Sequence, residues 1–262
     1  MEPTITIKIE QERCTGCGAC IADCPRHVLE VREDKAVVLS DDCLKCGHCL
    51  AVCPANAVQM EGLADEILEQ GEPTGVLDAA KLKAHLKLRR SVRQYQQTPV
   101  EREKIAQIIE AGRLTPSGSN LQNVRYIVVQ KGIDALEDEI IAQYKELAQQ
   151  SGSLVFGILD LSKYKLERGF LFHNAPALLL VVSENSTNAC LAAMSMELMA
   201  EALDLGTLYV GLFTRPANQN QALRQSLGLA ENENIAICLA VGYPSVTYLR
   251  SAPKKPAQVV WR

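Results

Sequence analysis

Two stretches near the start of the chain decide the fold of its first part: CTGCGACIADCP at residues 14–25 and CLKCGHCLAVCP at residues 43–54. Each has the pattern C-x2-C-x2-C-x3-C-P, and the second begins about thirty residues after the first. Segments with the alternation of a β-strand flank both runs, at residues 4–9, 28–31, 36–39 and 57–60. The first 60 residues therefore predict two pseudo-symmetric halves, each built around one cysteine run.

The repeated pattern resembles that of the bacterial two-cluster ferredoxins. In that family the three closely spaced cysteines of a run bind one [4Fe–4S] cluster, and its fourth cysteine binds the other cluster. The resemblance covers about residues 1–60 and implies two clusters. It assigns one cluster to Cys14, Cys17, Cys20 and Cys53 and the other to Cys43, Cys46, Cys49 and Cys24. Each half is too small to fold alone, so we expect cluster binding and folding to be coupled.

Zinc binding and disulfide formation are the alternative roles for these cysteines. Zinc sites use C-x2-C pairs, but they rarely add a third cysteine at the same spacing followed by C-P. A disulfide framework requires an oxidising compartment. The first residues, MEPTITIKIEQER, contain no apolar segment of the kind found in signal peptides. The pattern therefore favours iron–sulfur clusters.

The composition restricts the other classes of function. The net charge is −4, whereas a general nucleic-acid binder carries a basic patch. No apolar run reaches the roughly 18–20 residues that span a bilayer, and 47 % of the residues are hydrophobic, which is sufficient for a substantial core. We therefore expect a cytoplasmic protein that binds neither nucleic acid nor membrane.

The patterning predicts three regions: a two-cluster domain over 1–60, a linker over 61–78 that is rich in glycine and proline, and a second domain over 79–262. In the second domain, Thr98 and Pro99 predict the start of a helix that buries isoleucines. Further helices are predicted over 79–88, 133–150, 187–203 and 217–227, and strands over 125–130, 175–182 and 235–241.

Four segments of the second domain resemble, in the same order, the motifs of the FMN-dependent nitroreductase family. They are Arg89–Tyr95 (RRSVRQY), Pro116–Gln122 (PSGSNLQ), Ala202–Leu212 (ALDLGTLYVGL) and Gly242–Pro244 (GYP), the last followed by a basic tail. The resemblance covers about residues 79–262 and implies an α+β fold, with a central, mostly antiparallel sheet flanked by helices. It also implies bound FMN and a homodimer that holds the flavin between its subunits.

The candidate FMN-binding residues come from this resemblance and from the chemistry of the flavin. Arg89 and Ser91 can donate charge-assisted and hydroxyl hydrogen bonds to its phosphate. Arg93 is placed beside the pyrimidine edge, where a positive charge stabilises the anionic reduced flavin. The full candidate set is Arg89, Arg90, Ser91, Arg93, Pro116, Ser117, Asn120, Gln122, Tyr209, Gly211, Leu212, Arg250, Lys254 and Lys255. No side chain is predicted to be catalytic, because the flavin carries the chemistry.

Together the two resemblances imply an oxidoreductase that passes electrons through two [4Fe–4S] clusters and FMN to a small organic acceptor, such as a nitroaromatic or a quinone. A ferredoxin-type protein is the expected electron donor, with NAD(P)H as a further possible donor. Two alternatives remain open at this point. One is an NAD(P)H-dependent flavin enzyme whose clusters carry electrons out, and the other is a non-catalytic redox sensor or electron-transfer module.

Overall fold

The structure is a computed structural model that describes residues 5–62, 65, 67–68, 77–151, 155–156 and 159–262. It divides into two compact units. One comprises Met1–Val76 with Gly118–Leu121, and the other comprises Leu77–Ser117 with Gln122–Arg262. Most of the predicted linker lies outside the described residues.

The first unit has two antiparallel strand pairs. Strand β1 (Thr6–Ile9) pairs with β4 (Val58–Glu61), and β2 (Leu29–Arg32) pairs with β3 (Lys35–Val38). Helices α1 (Ala19–Ala22) and α2 (His48–Ala51) are one turn long. The strands lie within two residues of the predicted positions. The buried core is small and includes three of the cysteines: Cys14, Cys20, Val28, Leu29, Ala36, Cys49, Ala57 and Val58.

The second unit contains the remaining elements. In chain order they are α3 (Ala79–Leu88), α4 (Arg102–Arg113), β5 (Arg125–Val129), α5 (Ile133–Ser151), β6 (Val155–Phe156), β7 (Leu159–Asp160), β8 (Ala177–Ser183), α6 (Ser186–Ala202), β9 (Gly206–Tyr209), α7 (Gly211–Gln219), α8 (Gln221–Ser226) and β10 (Asn234–Gly242). A four-stranded sheet has the order β5-β8-β10-β9, and each neighbouring pair is antiparallel. The α+β fold class implied by the sequence is therefore confirmed.

Strand β8 lies inside this sheet and is buried along its whole length. Because successive side chains of a strand point to opposite faces, β8 contributes to two cores. Leu178 and Leu180 pack into a core that also contains Phe172 and Phe213. Leu179 and Val181 belong to a second core, which includes Ile108 of α4 and Met196 of α6: Val100, Ile105, Ile108, Ala177, Leu179, Val181, Ala189, Ala192, Ala193, Met196, Ala200, Leu205, Leu239 and Val241.

Two helix boundaries differ from the prediction. Helix α4 begins at Arg102 rather than Pro99, and its N-cap residue, Glu101, makes no side-chain cap bond. The carboxylate of Glu101 instead accepts a hydrogen bond from the hydroxyl of Tyr243 at 2.6 Å. The helix predicted over 217–227 is two helices, α7 and α8, separated at Asn220, whose side-chain oxygen caps α8.

Gly112 allows α4 and α6 to approach closely, and replacing it by alanine is expected to destabilise the second unit. A Cβ atom there would lie 2.8 Å from the hydroxyl oxygen of Tyr126 and 2.9 Å from Cγ of Met196. We expect Gly112→Ala to lower the free energy of unfolding by about 1–2 kcal/mol, despite the higher helix propensity of alanine. Chemical denaturation would measure this change. The double variant Gly112→Ala/Met196→Ala is the control, and its loss should be smaller than the sum of the single losses if the clash is the cause.

Candidate functional site

The first unit contains two small cavities, and each is lined by four cysteines. One, of about 20 Å³, is lined by Cys14, Cys17, Cys20 and Cys53; we call it the first cavity. The other, also about 20 Å³, is lined by Cys24, Cys43, Cys46 and Cys49; we call it the second cavity. The structure therefore brings the eight cysteines together in two sets of four, and each set contains the fourth cysteine of the other half of the repeat: Cys53 in the first cavity and Cys24 in the second.

The donor set of each cavity suits an iron–sulfur cluster. Four thiolates are the ligands of a [4Fe–4S] cluster, and each binds a different iron atom. Within the described part of the chain, no three His, Cys, Asp or Glu side chains are placed to hold a single metal ion. Backbone N–H groups of Ala36 and Ala57 donate to Sγ of Cys14 and Cys53, both at 3.3 Å. Such bonds stabilise the thiolate form that binds iron.

The surroundings affect the cysteines unequally. The N–H of Ala36 is the main cause of the lowered pKa of Cys14, aided by the N–H of Gly16 and the charge of Lys35. Burial raises the pKa of Cys49 to about 11. Burial disfavours the charged thiolate, whereas hydrogen-bond donors and nearby cations favour it.

In the second unit, a cleft of about 370 Å³ opens beside the arginines that follow α3. Its lining includes His85, Arg89, Arg90, Glu201 and Tyr248. Positively and negatively charged side chains therefore line the cleft, and the contacts among them decide which charges remain available to a ligand.

Two parallel side-chain contacts connect the end of α3 to α6. Nη1 of Arg89 lies 2.7 Å from Oε1 of Glu197, and Nε2 of His85 lies 2.7 Å from Oε2 of Glu201. Burial is the main cause of the raised pKa of Glu201. Glu197 is only 2 % exposed and also accepts a hydrogen bond from Oγ1 of Thr207 at 3.3 Å. Glu197 is thus a buried carboxylate compensated by Arg89, and the sequence reasoning did not identify it.

The other arginines of the RRSVRQY segment differ in burial: Arg90, like Arg89, is half-buried, whereas Arg93 is exposed. Arg90 donates to the backbone carbonyl oxygens of Lys87 at 3.1 Å and Arg250 at 3.5 Å. Arg93 is exposed and donates to the carbonyl oxygen of Ser91 at 3.4 Å. Ser91 itself is held by a backbone bridge to Thr207 at the edge strand β9. Arg90, Ser91 and Arg250 are therefore brought together, while Arg93 projects outward.

The PSGSNLQ segment is held by local and longer-range hydrogen bonds. Oγ of Ser117 accepts the N–H of Gln122 at 2.9 Å. Asn120 belongs to the first unit, and its Nδ2 donates to the carbonyl oxygens of Leu44 and Lys45 at 3.0 and 2.9 Å. The amide of Asn120 is therefore bound to the loop between Cys43 and Cys46, a partner that the sequence did not predict.

The remaining candidates lie at the start of α7 and in the tail. Gly211 is the first residue of α7, and the carbonyl oxygen of Leu212 accepts a hydrogen bond from the hydroxyl of Tyr144 at 2.5 Å. Burial raises the pKa of Tyr209. Lys254 and Lys255 are exposed, and the described residues provide them with no hydrogen bond. Within the part of the chain that is described, no helix is long and apolar enough to cross a membrane.

Comparison with known proteins relates both parts of the chain to families. Residues 86–243 match the Nitroreductase family, and residues 6–62 match the 4Fe-4S dicluster domain. An iodotyrosine deiodinase of Hydra vulgaris is 31 % identical over 172 residues, which cover 60 % of this chain and 62 % of that protein. A putative NADH dehydrogenase/NAD(P)H nitroreductase of Archaeoglobus fulgidus is 26 % identical over 166 residues, 60 % of this chain and 81 % of that protein. The chain thus spans less than two thirds of the length of the Hydra protein.

Solved structures support the same relationship at the level of the fold. A Bacteroides fragilis nitroreductase with bound FMN has a TM-score of 0.56 at 21 % identity, over 69 % of this chain and 98 % of that chain. An FMN-dependent nitroreductase of Clostridium difficile has a TM-score of 0.54 at 17 % identity, over 70 % of this chain and 100 % of that chain. The family match covers more than half of the sequence. The chain therefore belongs to the nitroreductase family, and its nitroreductase domain follows a 4Fe–4S ferredoxin domain.

Proposed function

We propose that this protein is an iron–sulfur flavoprotein oxidoreductase, which passes electrons through two [4Fe–4S] clusters and FMN to a small organic acceptor. One observation carries the proposal: two separate four-cysteine cavities occur in the same chain as a nitroreductase-family domain. Bound clusters supply one-electron transfer, and bound FMN supplies the pairing of electrons that reduction of an organic acceptor requires.

The cysteines of the first unit are the proposed cluster ligands. Four thiolates surround each cavity, and backbone N–H groups already point at some of the sulfur atoms. Hydrogen bonds to the sulfur atoms also help to set the reduction potential of a bound cluster. The small core of this unit contains several of the ligands, so cluster binding stabilises its fold as well.

Arg89, Arg90 and Ser91 are the proposed partners of the FMN phosphate. Arg89 uses one nitrogen for Glu197, and a guanidinium has further N–H donors that can bind a phosphate oxygen. The FMN-bound relative of the same fold supports the choice of flavin. We also propose that the protein is a homodimer in which Ser117, Asn120 and the tail complete the site of the partner, as the family resemblance implies.

The substrate class is a nitroaromatic or a quinone, and the proposed donor is a ferredoxin-type protein. Hydride donors such as NAD(P)H reduce a flavin directly and need no cluster. A one-electron donor, in contrast, delivers electrons singly, so clusters in the same chain as a flavin domain suit it. Joining one-electron and two-electron cofactors in one chain is therefore consistent with electrons flowing from the clusters toward the flavin.

The test is an anaerobic screen of acceptors with cofactor-loaded protein. We expect steady reduction of a nitroaromatic or quinone when reduced ferredoxin or dithionite is the donor, and slower reduction when NAD(P)H is the only donor. Turnover with NAD(P)H accompanied by reduction of the clusters would support outward electron flow. A flavin that is reduced and reoxidised without sustained consumption of any acceptor would contradict enzymatic activity and support a redox sensor.

A halogenated aromatic is a second candidate acceptor. It is supported by the iodotyrosine deiodinase of Hydra vulgaris, which is 31 % identical over the matched region. Including iodotyrosine in the acceptor screen tests this candidate directly. Release of iodide that depends on the electron donor would show that the activity of this protein is closer to that of the deiodinase than to that of the nitroreductases.

A further inference from the structure

The two halves of the first unit correspond residue by residue. Cys43 lies 29 positions after Cys14, and each other cysteine of the second run follows its counterpart by the same number. The backbone repeats as well: Gly18 and Gly47 have φ of 75° and 74°, and each precedes a one-turn helix. A residue beside one cavity therefore has its counterpart beside the other cavity 29 positions later or 29 positions earlier in the chain.

Lys35 is a half-buried cation fixed next to the first cavity. Glu33 and Asp34 form the turn between β2 and β3, and both have left-handed backbones, with φ of 49° and 58°, as a tight type I′ hairpin turn requires. The turn places Lys35 at the first position of β3, where its Nζ donates to the carbonyl oxygen of Cys14 at 2.6 Å. A positive charge is therefore held against the backbone of a cavity-lining cysteine.

The counterpart of Lys35 beside the second cavity is Thr6, which is exposed and uncharged. The cross-strand neighbours, Arg32 and Glu61, are both held in ion pairs, so they do not add to this difference. The two acids of the turn before Lys35 are exposed, so solvent and salt screen their charges. Lys35 therefore supplies a half-buried positive charge that the second cavity lacks at the equivalent position.

Other charges at the second cavity do not reverse this difference. Arg26 lines that cavity, but it forms an ion pair with Asp42. Lys45 of the second cysteine run is exposed, so solvent and salt screen its charge. His48 also lines the second cavity, but it too is exposed. Lys35 is half-buried, so solvent and salt screen its charge less.

We propose that Lys35 gives the cluster in the first cavity the higher reduction potential of the two, so that a single electron delivered to the chain resides there. This inference rests on the proposed two-cluster function. Each cluster takes one electron from the external one-electron donor, and no bond forms or breaks. The reduced cluster carries one more negative charge, which a nearby cation stabilises.

The test is a redox titration of the cofactor-loaded full chain, followed by low-temperature EPR. Lys35→Thr places beside the first cavity the residue type that occupies the equivalent position beside the second cavity. We expect this change to lower the higher of the two midpoint potentials and to leave the lower one in place, so that their separation shrinks. The reciprocal variant, Thr6→Lys, should raise the lower potential and also reduce the separation. Lys35→Arg keeps the charge and should preserve the wild-type separation.

The control is Lys131→Thr, which changes the net charge equally but alters an exposed lysine of the second unit, and it should move neither potential. The inference is overturned if Lys35→Thr leaves both potentials unchanged, or shifts both by the same amount, in protein with a wild-type circular dichroism spectrum. Iron analysis separates this result from failure of the two-cluster proposal. A content well below about eight iron atoms per chain in the wild type would refute the two-cluster proposal, and this inference with it.

Discussion

Replacing Cys24 or Cys53 by alanine is expected to abolish turnover with reduced ferredoxin or dithionite while FMN stays bound. Each of these cysteines lines a cavity formed mainly by the opposite half of the repeat and is a proposed cluster ligand there. Loss of one thiolate leaves its cluster incomplete, so electrons from a one-electron donor cannot pass through it. The candidate phosphate-binding residues Arg89, Arg90 and Ser91 belong to the second unit, which should keep its flavin.

The matched control is Cys190→Ala, because Cys190 is an exposed cysteine of α6. It should retain the wild-type iron content and rate. Circular dichroism and flavin content must accompany each rate, since loss of a cluster also destabilises the small first unit. Suppose instead that a folded, flavin-loaded chain truncated before residue 78 reduced acceptors at the wild-type rate with every donor. The clusters would then not be the input route for electrons.

Arg89→Met is expected to have the second large effect, on stability and on flavin binding together. The substitution removes the cation beside Glu197, whose side chain is 3 % exposed, and leaves a buried carboxylate without its partner. Breaking a buried pair in this way costs about 3–5 kcal/mol. Loss of a charge-assisted hydrogen bond to the FMN phosphate should also raise the dissociation constant of FMN about 10- to 100-fold.

The double variant Arg89→Met/Glu197→Met separates the two effects. Replacing both partners by apolar residues of similar size removes the buried charge, so the free energy of unfolding should recover most of the loss. The affinity for FMN should remain low, because the phosphate partner is still absent. Thermal denaturation and flavin fluorescence titration measure the two quantities. A wild-type affinity for FMN in the double variant would show that Arg89 does not bind the phosphate. A free energy of unfolding as low as that of Arg89→Met would show that the buried charge of Glu197 is not the cause of the lost stability.

Local patterns in the sequence predicted most of the elements. Helix α3 spans the predicted residues, and β10 and α6 lie within one residue of their predictions. These segments have strong periodicity or clear capping residues, so local information is sufficient. The predicted start of α4 was wrong because the decisive contact is distant in sequence. Glu101 accepts a hydrogen bond from Tyr243, far along the chain, and makes no side-chain cap bond at the start of the helix.

The candidate site shows the same limit. The cysteine sets could be inferred because the repeated run resembles that of the two-cluster ferredoxins, in which the fourth cysteine of each run binds the other cluster. The partner of Arg89 could not be inferred, since Glu197 lies 108 positions away. Its one local signal was a charged residue on a helix that is otherwise largely apolar. The hydrogen bonds of Asn120 to Leu44 and Lys45 likewise depend on tertiary structure, and no pattern near residue 120 indicates them.

The exchange of the fourth cysteine between the halves also governs how the protein matures. Because Cys53 completes the first cavity and Cys24 completes the second, neither ligand set is whole until both runs have left the ribosome and folded against each other. On the proposed two-cluster function, neither cluster therefore has its full set of ligands before the second run has been synthesised. A shorter polypeptide with a single repeat could complete a ligand set only by associating with another copy of itself, so within this chain the tandem duplication replaces a subunit interface.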